Sequence, residues 1–273
     1  MEIAIIILTH NNLTSKHGSL ESLLISLSIQ NIDISEIVIV DNCSNSANIK
    51  WLKLLEKKCL RVNFIYLNTN NIALGRNIGI KETRAQNLIF IDDDTILFKK
   101  DTLYELIKYT SGGLYGYSAN RLWTSNNWYE KHKSIFDEKL KNNETDFLKS
   151  ICSLPSPKLR NKKNMRHLSR TYIGNFGFAK RIILDQIGGW NENFIGYGAE
   201  DDLMAIDLFL KFGKPILLSN IEVIHISHLL NEINYNELNA NREKLSEILK
   251  TKGIKEFHTG RLMYDEDDVY KLI

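Results

Sequence analysis

The sequence predicts an α/β chain built on a mostly parallel, Rossmann-like central sheet with helices on both faces, and three features say so. Short β-branched runs alternate with longer stretches of helical spacing over the first hundred residues. The runs are apolar at nearly every position, as strands are when both sheet faces are covered. Polar clusters follow the carboxyl ends of the runs, the edge where open α/β sheets hold ligands.

Taken in order, the strands are Ala4 to Thr9, Glu36 to Asp41, Val62 to Leu67 and Leu88 to Asp92. Helical spacing covers Ser19 to Gln30, Ile49 to Lys58 and Leu74 to Thr83 between them, and the βαβαβαβ order implies a largely parallel sheet. The strand ends bring Thr9-His10-Asn11-Asn12, Asp41-Asn42 and Asp92-Asp93-Asp94 to one edge. A helix from Lys100 to Thr110, the turn Gly112-Gly113 and a strand from Leu114 to Ala119 follow. Trp123 to Arg170 is polar, spotted with aromatics and contains Pro155 and Pro157, so it predicts a long irregular segment, a functional or a disordered loop. Tyr172 to Phe178 reads as a strand, Lys180 to Ile187 as a helix and Gly188-Gly189 as a turn. A second helix starts near Glu200 and stops at Gly213, with strands Ile216 to Leu218 and Ile221 to His225 behind it. Asn236 to Lys252 carries Leu238, Leu245, Ile248 and Leu249 among charges, an amphipathic helix.

Composition narrows the function. At 273 residues and 43% apolar content the chain can bury a substantial core. Its 35 basic and 33 acidic residues leave a net charge of +2, so no global field points to nucleic acid or an anionic membrane. Cys43, Cys59 and Cys152 show no CxxC spacing and are odd in number, against a disulfide framework or a thiolate metal site and in favour of a reducing, cytoplasmic setting. Met1-Glu2-Ile3 lacks a basic n-region, and Ile3 to Leu8 is too short to span a bilayer.

Several clusters carry chemistry. In an extended chain Asp92 and Asp94 project to one side and Asp93 to the other. Such a pair can present oxygens to Mg²⁺ or Mn²⁺, or it is a solvated acidic turn. Glu200-Asp201-Asp202 opens a helix behind the loop Phe194-Ile195-Gly196-Tyr197; the carboxylates either complement the helix dipole or place a general base. His225 and His228, three residues apart after a strand, are surface or buried polar groups, or nitrogen ligands that join Asp94 in a site suited to Mn²⁺. Asn70 to Gly79 joins a strand to a helix with Arg76 beside Gly75 and either holds a phosphate or turns the chain. Lys158 to Arg170 is a basic stretch, a solvated face or a closure over an anion.

In their order and spacing these segments resemble the inverting, metal-dependent glycosyltransferases of the GT-A fold, family 2 in particular, from Ile3 to about His228. Asp92-Asp93-Asp94 is similar to their DxD motif, and Gly188-Gly189-Trp190-Asn191-Glu192 leads to Gly198-Ala199-Glu200-Asp201-Asp202 as theirs does. The second half resembles the β-1,4-galactosyltransferase and polypeptide N-acetylgalactosaminyltransferase branches. The resemblance implies a UDP-sugar donor held by Thr9, His10, Asn11, Asp41, Asn42, Arg76, Asp92, Asp93 and Tyr197. It implies Mn²⁺ or Mg²⁺ on Asp94, His228 and His225, with Asp201 as base and Glu200 placing sugar or acceptor. Trp190 packs behind, and Asp93 is the dispensable member of its triplet. Residues 1–110 then form the nucleotide-sugar half, 111–230 the acceptor and catalytic half with a small antiparallel or irregular region, and 231–273 a helical tail. The implied acceptor is a carbohydrate, lipid-linked or peptide hydroxyl, with room for peripheral membrane contact through the basic stretch and the tail. Ile72 stands where many relatives have Gly, and Asp207 where many have Arg. A nucleotidyltransferase and a catalytically inactive sugar-nucleotide or glycan-binding module are the alternatives; the first normally has a Gly-rich basic loop after its opening strand, and Thr9-His10-Asn11-Asn12-Leu13 is not one.

Overall fold

The structure is a computed structural model that describes residues 2–117, 120–153, 166–167, 173–218, 220–227, 235–254 and 263–264. The chain opens with β1 (Ile3–Thr9), the short turn α1 (Asn12–Ser15), α2 (Ser19–Ser28), β2 (Glu36–Asp41), α3 (Ser46–Lys58), β3 (Val62–Tyr66), α4 (Ile72–Lys81) and β4 (Asn87–Asp92). It continues through β5 (Thr95–Ile96), α5 (Thr102–Gly112), β6 (Tyr115–Tyr117), β7 (Asn120–Thr124), α6 (Asn126–Lys141), α7 (Thr145–Ser150), β8 (Cys152–Ser153) and β9 (Arg166–His167). The last elements are α8 (Ile173–Phe176), β10 (Gly177–Lys180), α9 (Arg181–Ile187), α10 (Glu200–Phe212), β11 (Ile216–Leu217), β12 (Glu222–Ile226), α11 (Tyr235–Thr251) and β13 (Met263–Tyr264).

Seven strands make the main sheet in the order β11-β6-β10-β4-β1-β2-β3. β1 pairs in parallel with β2 and β4, and β2 with β3, while β10 runs antiparallel to β4 and β6. The register sets Thr9 opposite Asp41 and Leu8 opposite Asp92, so the polar ends of three strands finish level. Alternation explains why β1 is apolar throughout: Ile3, Ile5 and Ile7 join the core on one face, Ala4 and Ile6 the core on the other. Each isoleucine so buried stabilises the fold by roughly 1.5–3 kcal/mol. A third cluster unites Phe194, Ala199, Leu203 and Ile206 with Leu245, Leu249 and Ile254, docking α11 on α10. The apolar stripe of the tail helix is therefore covered by the domain.

Three expectations need correction. The described part of the polar stretch after Trp123 is largely helical: Tyr129, Phe136 and Leu140 of α6 are wholly buried at helical spacing, and its many charges hid that stripe. The strand expected from Tyr172 to Phe178 begins only at Gly177, because Ile173–Phe176 makes the helical turn α8 before β10. The second sheet, β5-β12-β7-β8, is mixed, since β12 runs parallel to β7 and antiparallel to β5. Among the described residues no helix is long and apolar enough to cross a membrane.

Candidate active site

One side of the cleft is made of amides at the ends of β1, β2 and β3. Asn42 ties them together: its main-chain N–H donates to the Thr9 carbonyl at 2.8 Å, its Nδ2 to Asn70 at 2.7 Å, and its Oδ1 accepts the Asn71 N–H at 2.8 Å. His10 donates from Nδ1 to the Asn42 carbonyl at 2.7 Å and accepts Asn11 Nδ2 at 2.9 Å, which fixes its proton on Nδ1. Asn11, in the left-handed region at φ 48°, donates its N–H to Ser44 Oγ and accepts the Asn45 N–H on Oδ1. Asn71 caps α4 by accepting the Leu74 N–H and donates Nδ2 to the Glu192 carbonyl. Asp41 is 1% exposed; Oδ2 accepts the Ser44 N–H, whereas Oδ1 is buried with no partner among the described residues. Burial raises the Asp41 carboxyl above its usual range against the opposing Ser44 bonds.

The other side is carboxylate. Arg76, 5% exposed on the first turns of α4, donates from Nη1 to Asp201 Oδ1 at 2.6 Å and to Glu200 Oε1 at 3.4 Å. Its Nη2 lies 3.8 Å from Asp92 Oδ1, and the guanidinium sits over the Trp190 ring at 5.4 Å. Trp190 Nε1 donates to the same Asp201 Oδ1 at 2.8 Å, so the buried indole orients the carboxylate as well as packing behind it. Gly174 is required here, because a Cβ would stand 2.5 Å from Arg76 Cζ. Its neighbour Asn175 donates Nδ2 to Asp92 Oδ2, and Asn175 Oδ1 is buried with no partner among the described residues. Burial pushes the Asp92 carboxyl up to about 7 against the pull of Arg76. Burial, then the charge of Asp201, pushes Glu200 up to about 8.

Asp94 Oδ1 lies 3.5 Å from His225 Nε2, where β12 crosses β5. The His225 ring stacks on Trp123 at 4.2 Å, and the Ile226 N–H donates to the Asp94 carbonyl at 2.9 Å. Asp93, the middle member, turns inward: Oδ2 accepts Thr9 Oγ1 at 2.7 Å and Oδ1 accepts Lys16 Nζ at 2.6 Å, while its carbonyl accepts Ser19 Oγ. It is held on both oxygens as part of the scaffold. Lys16 also reaches Asp94 Oδ2 at 3.5 Å. No group of three His, Cys, Asp or Glu side chains stands at metal-holding spacing among the described residues, and His228 lies outside them. The chemistry of Asp94 with His225, one carboxylate oxygen against one imidazole nitrogen and Asp92 two residues away, fits Mn²⁺.

The loop before α10 is clamped from two directions. The Gly196 N–H donates to the Asn70 carbonyl at 3.2 Å on the amide side. On the other, Asn241 Nδ2 of α11 donates to the carbonyls of Ile195 and Tyr197, and Glu237 accepts the Tyr197 N–H. Gly196 at φ 75° allows this, since a Cβ would lie 2.2 Å from Glu237 Oε2. The Tyr197 side chain stays 45% exposed, with its hydroxyl raised by burial first and Glu200 next.

The structure thus brings Thr9, His10, Asn11, Asp41 and Asn42 together, and Arg76, Asp92, Glu200 and Asp201 together, with Asp94 and His225 paired between. Apart from Arg166–His167, the basic stretch from Lys158 lies outside the described residues. Sequence reasoning missed Lys16, Asn175 and Asn241. Asn175 was hidden in a segment read as strand, and Lys16 and Asn241 belong to no motif.

A parallel sheet with an antiparallel strand, an amide-lined strand edge and a carboxylate cluster beneath a loop define the class: the chain has the GT-A glycosyltransferase fold. Residues 4–188 match the profile of glycosyl transferase family 2, and the chain belongs to that family. Among solved structures, TarS residues 1–349 of S. aureus in complex with UDP-GlcNAc is similar over 91% of this chain and 67% of that one, at 17% identity and TM-score 0.59. The mannosyltransferase PcManGT of Pyrobaculum calidifontis, in complex with GDP-Man and Mn²⁺, covers 95% of this chain and 66% of its own at 14% identity and TM-score 0.59. GalNAc-T7 with UDP, GalNAc and Mn²⁺ covers 84% of this chain and 44% of its own at 14% identity and TM-score 0.58. The chain spans 60% of the TarS fragment and 40% of the longer TarS chain in two further structures. No curated protein matches the chain in sequence.

Proposed function

We propose that the protein is a metal-dependent, inverting glycosyltransferase that moves a hexose or N-acetylhexosamine from a UDP-sugar to a hydroxyl of a glycan, lipid-linked or protein acceptor. The observation that carries this reading is Asp201, held at the start of α10 by Arg76 and Trp190 on one oxygen, beside Asp92. Both donors reach Oδ1, so Oδ2 is the oxygen that takes the acceptor proton. The acceptor oxygen then bonds to the anomeric carbon as the bond from that carbon to the diphosphate oxygen breaks, and the configuration inverts. Glu200, its carboxyl raised by burial and by the neighbouring charge of Asp201, places the sugar or acceptor beside the base. The buried Asp41 Oδ1 accepts a base N–H, with Thr9, His10, Asn11 and Asn42 shaping the slot around it. Tyr197 flanks the donor sugar. A divalent ion on Asp94 and His225, with Asp92 beside them, supplies charge stabilisation for the departing diphosphate when bound. Residues 1–110 serve the donor and 111–230 the acceptor and the proton transfer.

Family membership sets the nucleotidyltransferase alternative aside. A transfer or hydrolysis assay separates the enzyme from an inactive binding module: a donor screen by thermal shift with Mn²⁺, including GDP-mannose beside the UDP-sugars, identifies the donor, since a ligand bound only by the folded state raises its stability. EDTA abolishes transfer with that donor. Asp201→Asn lowers the rate by about 10²–10⁴-fold while UDP binding persists. Undiminished transfer by Asp201→Asn refutes the base, and undiminished transfer in EDTA refutes the metal.

A further inference from the structure

Lys16 caps α1 at its C-terminal end, in the first loop after β1, and no motif marks it. Its ammonium stands between two members of the aspartate triplet, 2.6 Å from Asp93 Oδ1 and 3.5 Å from Asp94 Oδ2, with 18% of the side chain exposed. The two contacts differ in kind. Asp93 is locked by Thr9 on its other oxygen, whereas Asp94 faces His225 on its other oxygen. The Lys16 charge is close enough to be felt at Asp92 and at the Tyr197 hydroxyl. An ammonium carries three donors, and Asp93 engages one at the shorter distance.

Resting on the metal-dependent reading above, we propose that Lys16 is a resident counter-cation of the donor site: it neutralises Asp94 while the site awaits ligand, yields Asp94 to the divalent ion, and stays anchored on Asp93 with its charge beside the nucleotide diphosphate. An ammonium and a divalent ion on one carboxylate repel, so Lys16 weakens binding of the metal alone. A diphosphate attracts both, so Lys16 strengthens binding of the nucleotide once the metal is present. These opposite signs set the role apart from a structural one, in which loss of Lys16 weakens both steps or neither.

The experiment is calorimetric titration of Mn²⁺ alone and then of UDP at saturating Mn²⁺, on wild type, Lys16→Met and Lys16→Arg. Lys16→Met is expected to bind Mn²⁺ on the order of tenfold more tightly and UDP on the order of tenfold more weakly, as the loss or gain of one nearby charge dictates. Lys16→Arg keeps the charge and stays near wild type in both. If Lys16→Met fails to fold because Asp93 is left buried and charged, the pair Lys16→Met with Asp93→Asn, read against Asp93→Asn alone, isolates the Lys16 charge and carries the same measurement. Unchanged or weaker Mn²⁺ binding, or unchanged UDP binding, overturns the proposal. A wild type that binds neither Mn²⁺ nor UDP removes the metal-dependent reading itself, whereas a wild type that binds both and a variant that binds them equally well refutes Lys16 alone.

Discussion

The two sides of the cleft are built on opposite principles. On the amide side Asn11, Asn42 and Asn71 bond one another's loops through neutral groups, and strand ends in fixed register hold them. On the carboxylate side Asp92, Asp93, Asp94, Glu200 and Asp201 crowd around two cations, Arg76 and Lys16. Burial first, and the neighbouring carboxylates after it, make Asp92 and Glu200 hold protons more tightly than ordinary carboxyls. The amide side offers shape through neutral groups; the carboxylate side concentrates negative charge around Arg76 and Lys16.

The largest effect comes from emptying the carboxylate side of its central cation. Arg76→Leu leaves Asp201, Glu200 and Asp92 without their shared partner in a buried place, at a cost of about 3–5 kcal/mol. Urea unfolding reads that loss, and transfer activity disappears with it. Arg76→Lys recovers part of the stability and little of the activity, because a compact ammonium cannot meet Asp201 and Asp92 from one fork. An Arg76→Leu protein as stable as wild type breaks the comparison, since the carboxylates would then be held by something else.

The same contrast decides what was legible in the sequence. The strand ends follow from periodicity: four apolar runs fix which residues end level, Thr9 and Asp41 on the amide side and Asp92 at the edge of the carboxylate side. Glu200 and Asp201 were found because a helix start is a local signal. What places Arg76 against them is the meeting of α4 with the start of α10, more than a hundred residues apart in sequence, with Gly174 giving the room, and no local pattern encodes that distance. α6 was missed because its buried residues are few among many charges. Lys16 was missed because an isolated lysine in a polar loop acquires meaning only from the three-dimensional position of Asp93 and Asp94.

A second, intermediate effect concerns pH and tests whether the carboxylate side alone is electrically loaded. Glu200 rises from 4.5 to about 8 and Asp92 from 3.8 to about 7 in the folded protein. Between roughly pH 4 and pH 8 these two groups therefore bind more protons in the folded chain than in the unfolded one, and their contribution to the stability of the metal-free protein falls as pH rises through that window. Melting temperatures at pH 5, 6, 7 and 8 should decline in order. Glu200→Gln, which cannot ionise, should flatten the upper part of the decline, where Glu200 titrates. A metal-free protein whose melting point climbs from pH 5 to pH 8 refutes the loaded side.

The smallest effect belongs to the amide side and sharpens the contrast most directly. Asn42→Ala removes the bond to Asn70 and leaves the Asn71 N–H, in a residue 8% exposed, without its acceptor. Leaving such a group unsatisfied costs about 1–3 kcal/mol. Asn42 carries no charge at any pH, so its loss should lower the stability curve by the same amount at pH 5 and at pH 8, parallel to wild type, where Glu200→Gln changes the slope. UDP binding should weaken too, because the Asn42 amide holds the strand ends that frame Asp41. A slope that changes in Asn42→Ala means that the two sides share one electrostatic network, most directly through Thr9, which accepts the Asn42 N–H on its carbonyl and donates its hydroxyl to Asp93.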